Sequence, residues 1–312
     1  DYTFLKQSEA KQNYQVRLWD VGAGAHAALY PNLTCSDPVW RGVLRDVRFR
    51  RALSMAINRT EINRVLYFGL AQPTNNTVLR KSPLFKPEYR ESFTNFDTDA
   101  ANALLDDMGL AERDSDGIRL LPDGRPMEII VETTGENPEH DDMLELIGDS
   151  WRQVGVKMFV KGLQREVLRN RAYSGETIMS IFNGVDNGLA TPNTVPSEFV
   201  PAQQDSLQWP KWGQYYQTDG EAGEAPDMPA AKELMNQYRK WQTSNEKGRK
   251  EAWQDILDIN SENMFSIGLI GNVPQPVVVD KDMRNVPEKG IHSWEPGAFF
   301  GIYRPDTFWW DR

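Results

Sequence analysis

The stretch Asp46-Val47-Arg48-Phe49-Arg50-Arg51-Ala52-Leu53-Ser54-Met55-Ala56-Ile57-Asn58-Arg59 decides how the rest of the chain is read. Val47, Ala52, Leu53, Ala56 and Ile57 recur at helical spacing, and Phe49 widens the apolar stripe. Arg48, Arg50, Arg51 and Arg59 are expected on the other faces. Asp46 has the short acceptor side chain that suits an N-cap. Asn58, with Glu61 three residues on, begins a second helix in capping-box style. Ile62, Val65 and Leu66 give that helix its apolar side, and Gly69 ends it. Physics alone requires only a helix pair in a folded domain.

Upstream, residues 14–21 read as a strand, with Val16, Leu18 and Asp20 on one side. Residues 22–32 hold a short apolar run that ends at Pro31; alone, it reads as a surface strand stopped by proline. Downstream, the prolines of 71–89 mark a loop. Asp97 or Asp99 caps a helix in which Ala100, Ala103, Leu104 and Met108 form the expected buried side, and Gly109 stops it. Pro122-Asp123-Gly124 supplies the turn of a hairpin over 114–133. Strand 127–132, helix 138–154, strand 156–162, helix 164–173 and strand 177–183 then alternate. In the second strand Val156, Met158 and Val160 share a face. Such alternation predicts an α/β sheet with helices on its faces. Residues 184–226 carry many Gly and Pro residues and little periodicity. Helices 229–243 and 246–260 follow, then strands 265–271 and 275–280. The aromatic tail 286–312 is expected to dock.

The chain has 312 residues, enough for one large or two ordinary domains, with 39% hydrophobic and 26% charged residues. No stretch approaches the ~20 apolar residues that span a bilayer. The net charge of −10 argues against a nucleic-acid-binding surface. Cys35 stands alone, so no internal disulfide forms. His26, His140 and His292 have no zinc-like spacing. "DSDG" at 114–117 lacks the remaining ligands of a calcium loop, so no metal or cofactor is implied. Asp114/Asp116 and Asp141/Asp142 fall on a turn and a helix start, where they act as caps and solvated charge.

Two constellations carry candidate binding chemistry. "FNGVDNG" (182–188) follows a strand, and ligands of open α/β sheets sit beyond the carboxyl ends of strands. Asn183, Asp186 and Asn187 offer donors and acceptors there; a polar turn hinged on Gly184 and Gly188 is the plainer reading. "WPKWGQYY" (209–216) brings Trp209, Trp212 and Tyr215, whose faces suit a sugar's C–H patch or a cation. Anchoring of the loop to the core explains the tryptophans as well. Trp294 and Glu295 line the cleft from the tail, or simply dock it.

The opening motif also resembles the "D-x-R-x-R-x-A-L-x-x-A-I-D/N-R" signature of the extracellular solute-binding proteins, family 5. The resemblance continues in family order through "YFGLAQPTNN" (67–76), "FDTDAANALLDDMGL" (96–110) and "DGRPMEIIVETTG" (123–135), and covers the chain from about Tyr30 onward. It implies a type II lobe of the periplasmic-binding-protein kind, a mixed sheet with helices on both faces, plus segments of a second, incomplete lobe. The implied domains are 1–40 as hinge and first-lobe segment, 41–285 as solute-binding lobe, and 286–312 as a tail returning to the first lobe. In the family an aromatic followed by Asn ends the strand that crosses between lobes, and Tyr30 and Asn32 resemble that site. Asp186 is similar to the acidic residue that pairs with a peptide's amino terminus, although Phe182 stands near where peptide binders often carry tryptophan.

The implied function is the substrate-binding component of a bacterial ABC importer. It would capture an oligosaccharide or an oligopeptide for a membrane permease, in the periplasm or as an anchored extracellular lipoprotein, without enzymatic activity. Family members are longer and start with a signal, so a C-terminal fragment is expected. The "DNG" cluster, the tryptophans and Phe182 favour a sugar. A glycan-active hydrolase with a carboxylate pair is the alternative, and a structural or chaperone-like role stays open.

Overall fold

Asp46 and Asn58 do what their side chains dictate, accepting hydrogen bonds from the Arg48 and Glu61 backbone N–H groups and starting two successive helices. The structure is a computed structural model that describes residues 2–311. From the N-terminus, helix α1 (Tyr2–Ser8) leads to strands β1 (Tyr14–Val21) and β2 (Ala27–Pro31). Helices α2 (Pro38–Arg45), α3 (Val47–Met55) and α4 (Arg59–Tyr67) follow, then strand β3 (Gln72–Pro73) and helices α5 (Pro87–Glu91) and α6 (Thr98–Asp107). The alternating region is β4 (Glu128–Thr133), α7 (Pro138–Arg152), β5 (Lys157–Gly162), α8 (Arg165–Ser174) and β6 (Met179–Phe182). Helices α9 (Pro210–Gln217), α10 (Pro229–Thr243) and α11 (Glu246–Asn263) precede β7 (Ile267–Gly271) and β8 (Gln275–Asp280). Short strands β9 (Met283–Arg284), β10 (Ile291–His292) and β11 (Trp309–Trp310) close the chain.

A six-stranded sheet runs β3-β7-β2-β6-β4-β5. Its middle strand β2 is antiparallel to β6 and β7, while β4 is parallel to β5 and β6. Every residue of β2 and β7 is buried, so both faces of the sheet centre are covered. The strand ended by Pro31 is therefore central, not superficial. A smaller sheet, β10-β1-β8, carries its own apolar cluster of Trp19, Val277 and Val279, with Tyr303 edge-on to Trp19 at 4.8 Å. The aromatic tail docks on this sheet, yet Trp294, Ile302 and Trp309 stay more than half exposed. Among the described residues no helix is long and apolar enough to cross a membrane.

Several expectations shift in detail. Arg50 and Arg59 are fully buried instead of facing solvent. Arg59 donates to the Gly268 carbonyl at 3.0 and 2.8 Å and to the Ser54 carbonyl at 2.7 Å, and Arg50 reaches the Asn263 carbonyl at 2.9 Å. The stripe of α6 is rotated: Ala101 and Leu105 are buried, with Leu104 and Met108 packed beside them, while Ala103 is exposed. In β1 it is Trp19 that turns inward, and Leu18 faces out. Val160 of β5 is exposed because β5 is an edge strand. Pro210 at the first turn of α9 starts a helix inside the stretch that lacks periodicity. Residues 27–31 belong to the large sheet and 275–280 to the small one.

Leu53 is completely buried, and its carbonyl accepts the Trp151 indole N–H at 3.0 Å. Leu53→Ala is expected to destabilise the fold by roughly 2–5 kcal/mol, as buried leucine truncations do. Urea denaturation measures this directly.

Candidate functional site

The turn after β6 is built on the backbone of the segment that joins β1 to β2. Gly24 N–H donates to the Val185 carbonyl at 2.9 Å, Gly184 N–H to Ala25 at 3.1 Å, and Gly188 N–H to Gly22 at 2.8 Å. The approach is close enough to require glycine. A Cβ on Gly184 would lie 2.5 Å from the Ala25 carbonyl oxygen, and one on Gly24 2.2 Å from that of Thr77. Asn76 Oδ1 takes the Val185 N–H at 2.8 Å, and Glu198 Oε1 takes the Asp186 N–H at 2.9 Å. Tyr30 Oη, from the end of β2, donates to the Asn183 carbonyl at 2.6 Å. On the opposite side of the joining segment, His26 Nε2 lies 2.9 Å from Glu139 Oε2, which also accepts the Tyr67 hydroxyl at 2.8 Å. The histidine contact, more than the tyrosine bond, holds the Glu139 carboxyl at about 2 despite partial burial.

This turn forms one wall of a basin of about 570 Å³. Asn183, Asp186, Asn187 and Trp294 all line it. Glu198, Asp205 and Glu295 add carboxylates, and Phe182, Phe199 and Tyr30 add aromatic surface. Burial, joined by the charge of Asp186, pushes the Glu198 carboxyl up to about 7. Burial and the nearby Glu295 and Asp205 raise Asp186 as well. The basin's two cations are already engaged: Arg165 pairs with Glu136 and lies 5.5 Å over the Phe182 ring, and Arg169 pairs with Glu166 at 3.3 Å. Among the described residues, no group of three His, Cys, Asp or Glu side chains is placed to hold a metal.

Trp209 and Trp212 do not line the basin. Both are fully buried, their rings stacked 6.4 Å apart, with Phe265 edge-on to Trp209 and the Arg45 guanidinium over Trp212. Their apolar bulk anchors α9 to the core, the plainer of the two readings of that stretch. Tyr215 borders a separate concavity of about 510 Å³ between α9 and α10, with Met235 and Arg239. Asn32 is fully buried and structural: its amide donates to the Ala172 and Thr177 carbonyls, and its oxygen receives the Thr34 N–H and hydroxyl. Sequence reasoning missed Glu198 and Asp205. Glu198 lies on a single 3-10 turn, Ser197–Phe199, that Phe199 pins against Trp253; no periodic signal marks it.

The chain belongs to the bacterial extracellular solute-binding proteins, family 5. Residues 1–206 match the family's description "Bacterial extracellular solute-binding proteins, family 5 Middle". The structure superposes on that of an oligopeptide-binding protein with a TM-score of 0.77 and 31% identity, covering 100% of this chain and 51% of that one. A "Probable ABC transporter-binding protein" of Deinococcus radiodurans is 31% identical over 121 residues, 38% of this chain and 20% of that protein. A "Periplasmic alpha-galactoside-binding protein" of Rhizobium meliloti is 22% identical over 255 residues, 79% of this chain and 35% of that protein. The chain thus spans about half or less of the length of these relatives, and its fold is that of the family's periplasmic binding proteins over that half.

Gly184→Ala is expected to disrupt the turn, because the added carbon meets backbone and the Asn76 side chain. A lowered melting temperature, with loss of backbone-amide protection confined to residues 183–188, is the expected outcome in hydrogen exchange.

Proposed function

We propose that this chain is the solute-bearing half of an ABC-importer receptor and that the basin captures an oligopeptide by its amino end. The charge pattern carries the reading. Asp186, Glu198, Asp205 and Glu295 converge on one basin, while Arg165 and Arg169 are neutralised by Glu136 and Glu166. A surplus of unpaired carboxylates attracts an ammonium group. The preference for a sugar rested partly on Trp209 and Trp212, which are interior. In this reading a second lobe closes over the basin, the closed form is recognised by a membrane permease, and the receptor works in the periplasm or on the outer cell surface. The small sheet, residues 14–21 with 275–292, belongs to that other lobe, and segments 22–26 and 272–274 act as the hinge.

A sugar remains the second reading, supported by Trp294: it stands 59% exposed at the basin beside Glu295, as a stacking face for a sugar ring would. The hydrolase alternative has the basin's four carboxyls to draw a pair from, but an oxygen of Glu198 is engaged by the Asp186 backbone. We favour binding without catalysis.

Calorimetry on the full-length protein tests the assignment. Asp186→Ala should weaken an oligopeptide by roughly 1.5–3 kcal/mol, the usual worth of a hydrogen bond to a charged group, and N-acetylation of the peptide should cause a similar loss. Binding of an oligosaccharide that Trp294→Ala abolishes would shift the assignment to the sugar. Unchanged affinity of both variants for every solute that binds would refute the basin as the site, and product release from an oligosaccharide would establish a hydrolase.

A further inference from the structure

The turn 183–188 is held by acceptors of two kinds. Gly184, Val185 and Gly188 donate their N–H groups to neutral oxygens: the Ala25 carbonyl, the Asn76 amide and the Gly22 carbonyl. Asp186, the residue placed to meet the solute, donates instead to a carboxylate, Glu198 Oε1, at 2.9 Å, and the Asn187 N–H lies near enough to favour its charged form. Glu198 is the only titratable acceptor in this set. Among the described residues no lysine, arginine or histidine pairs with it.

We propose that Glu198 is the positioning residue of the basin, a latch that fixes the Asp186–Asn187 turn and links solute capture to a single proton. The charged carboxylate makes a charge-assisted bond to the Asp186 N–H, stronger than that made by a neutral acid. It also contributes negative charge beside Asp186. Protonation weakens the latch and removes that charge together. Asp186 on the turn, Asp205 beyond it and Tyr30 on β2 interact with it, and Arg165 and Arg169 on α8 and Glu295 on the tail line the same basin. Burial and the two nearby aspartates raise the carboxyl, the Asp186 and Asn187 N–H groups lower it, and the balance lies at about 7. The latch is therefore closed above neutrality and opens as the pH falls through it. The latch's bond stands on the geometry of the turn; its effect on affinity rests on the reading that the basin takes an ammonium group.

The test separates those two parts. In the full-length protein, the Asp186 amide signal in 1H–15N spectra should step with a midpoint near neutral pH. In Glu198→Gln, which keeps a carbonyl acceptor but cannot titrate, the step should vanish. The peptide probe is trialanine. Relative to Glu198→Gln, so that titration of the peptide's own amine cancels, wild-type affinity should fall about tenfold from pH 8 to pH 6, as the competent fraction does. A flat Asp186 signal in the wild type, or the same step in Glu198→Gln, overturns the latch. Trialanine binding with equal pH dependence in both proteins overturns the linkage. An amide step that Glu198→Gln removes, without any trialanine binding, supports the latch and rejects the peptide reading.

Discussion

A guanidinium with no carboxylate partner among the described residues fastens this fold. Arg59 sits at the first position of α4, completely buried, and directs its N–H groups to the Gly268 carbonyl of β7 and to the carbonyl and hydroxyl of Ser54. Burial pulls its pKa down, yet a guanidinium stays protonated in proteins, so its donors remain available to oxygens that would otherwise be stranded. The contact joins the turn between two helices to β7, β7 to β2, and β2 through Tyr30 to the wall of the basin. Arg50 does the same at the end of α11, through the Asn263 carbonyl. The arginines of the opening motif are thus internal fasteners, and their replacement by a surface-type cation such as lysine would not reproduce the fork of donors.

The helices were legible because their ends are chemically marked. Asp46, Asn58 and Asp97 all accept the backbone bonds expected of a cap. Side-chain direction was less legible. A periodic pattern places an arginine beside the apolar stripe but does not say whether carbonyls wait for it inside, which depends on β7 and α11, some two hundred residues away. The one-residue rotation of α6 has a similar cause: Ala100, Ala101 and Ala103 are nearly equivalent by hydrophobicity, and the neighbouring α3 settles which of them is covered.

The basin was legible where its residues follow a strand and, in Trp294 and Glu295, at the aromatic tail. Asn183, Asp186 and Asn187 were marked by their position after β6. Glu198 and Asp205 arrive from an irregular turn and a loop, and only the tertiary fold makes them neighbours of Asp186. Trp209 and Trp212 show the converse. Two indoles in an irregular stretch signal either a stacking platform or an anchor, and composition cannot separate these; the stacked pair under Arg45 is an anchor.

The position of β2 has a consequence for how the molecule is made. Leu29 pairs with Ile181 on one side and Ile267 on the other, and Arg17 of β1 pairs with Val277. Neither sheet can acquire its inner strand until most of the polypeptide has been synthesised. Local helix pairs such as α10 and α11 form without that delay, whereas the central ladder waits on closure of very long loops, which slows folding. During that interval β2 offers two open edges of apolar strand to any passing partner. A nascent chain of this topology is long-lived as a loosely structured species, and a truncation that removes β7 would leave one edge permanently unpaired, turning the middle of the native sheet into a site of aggregation.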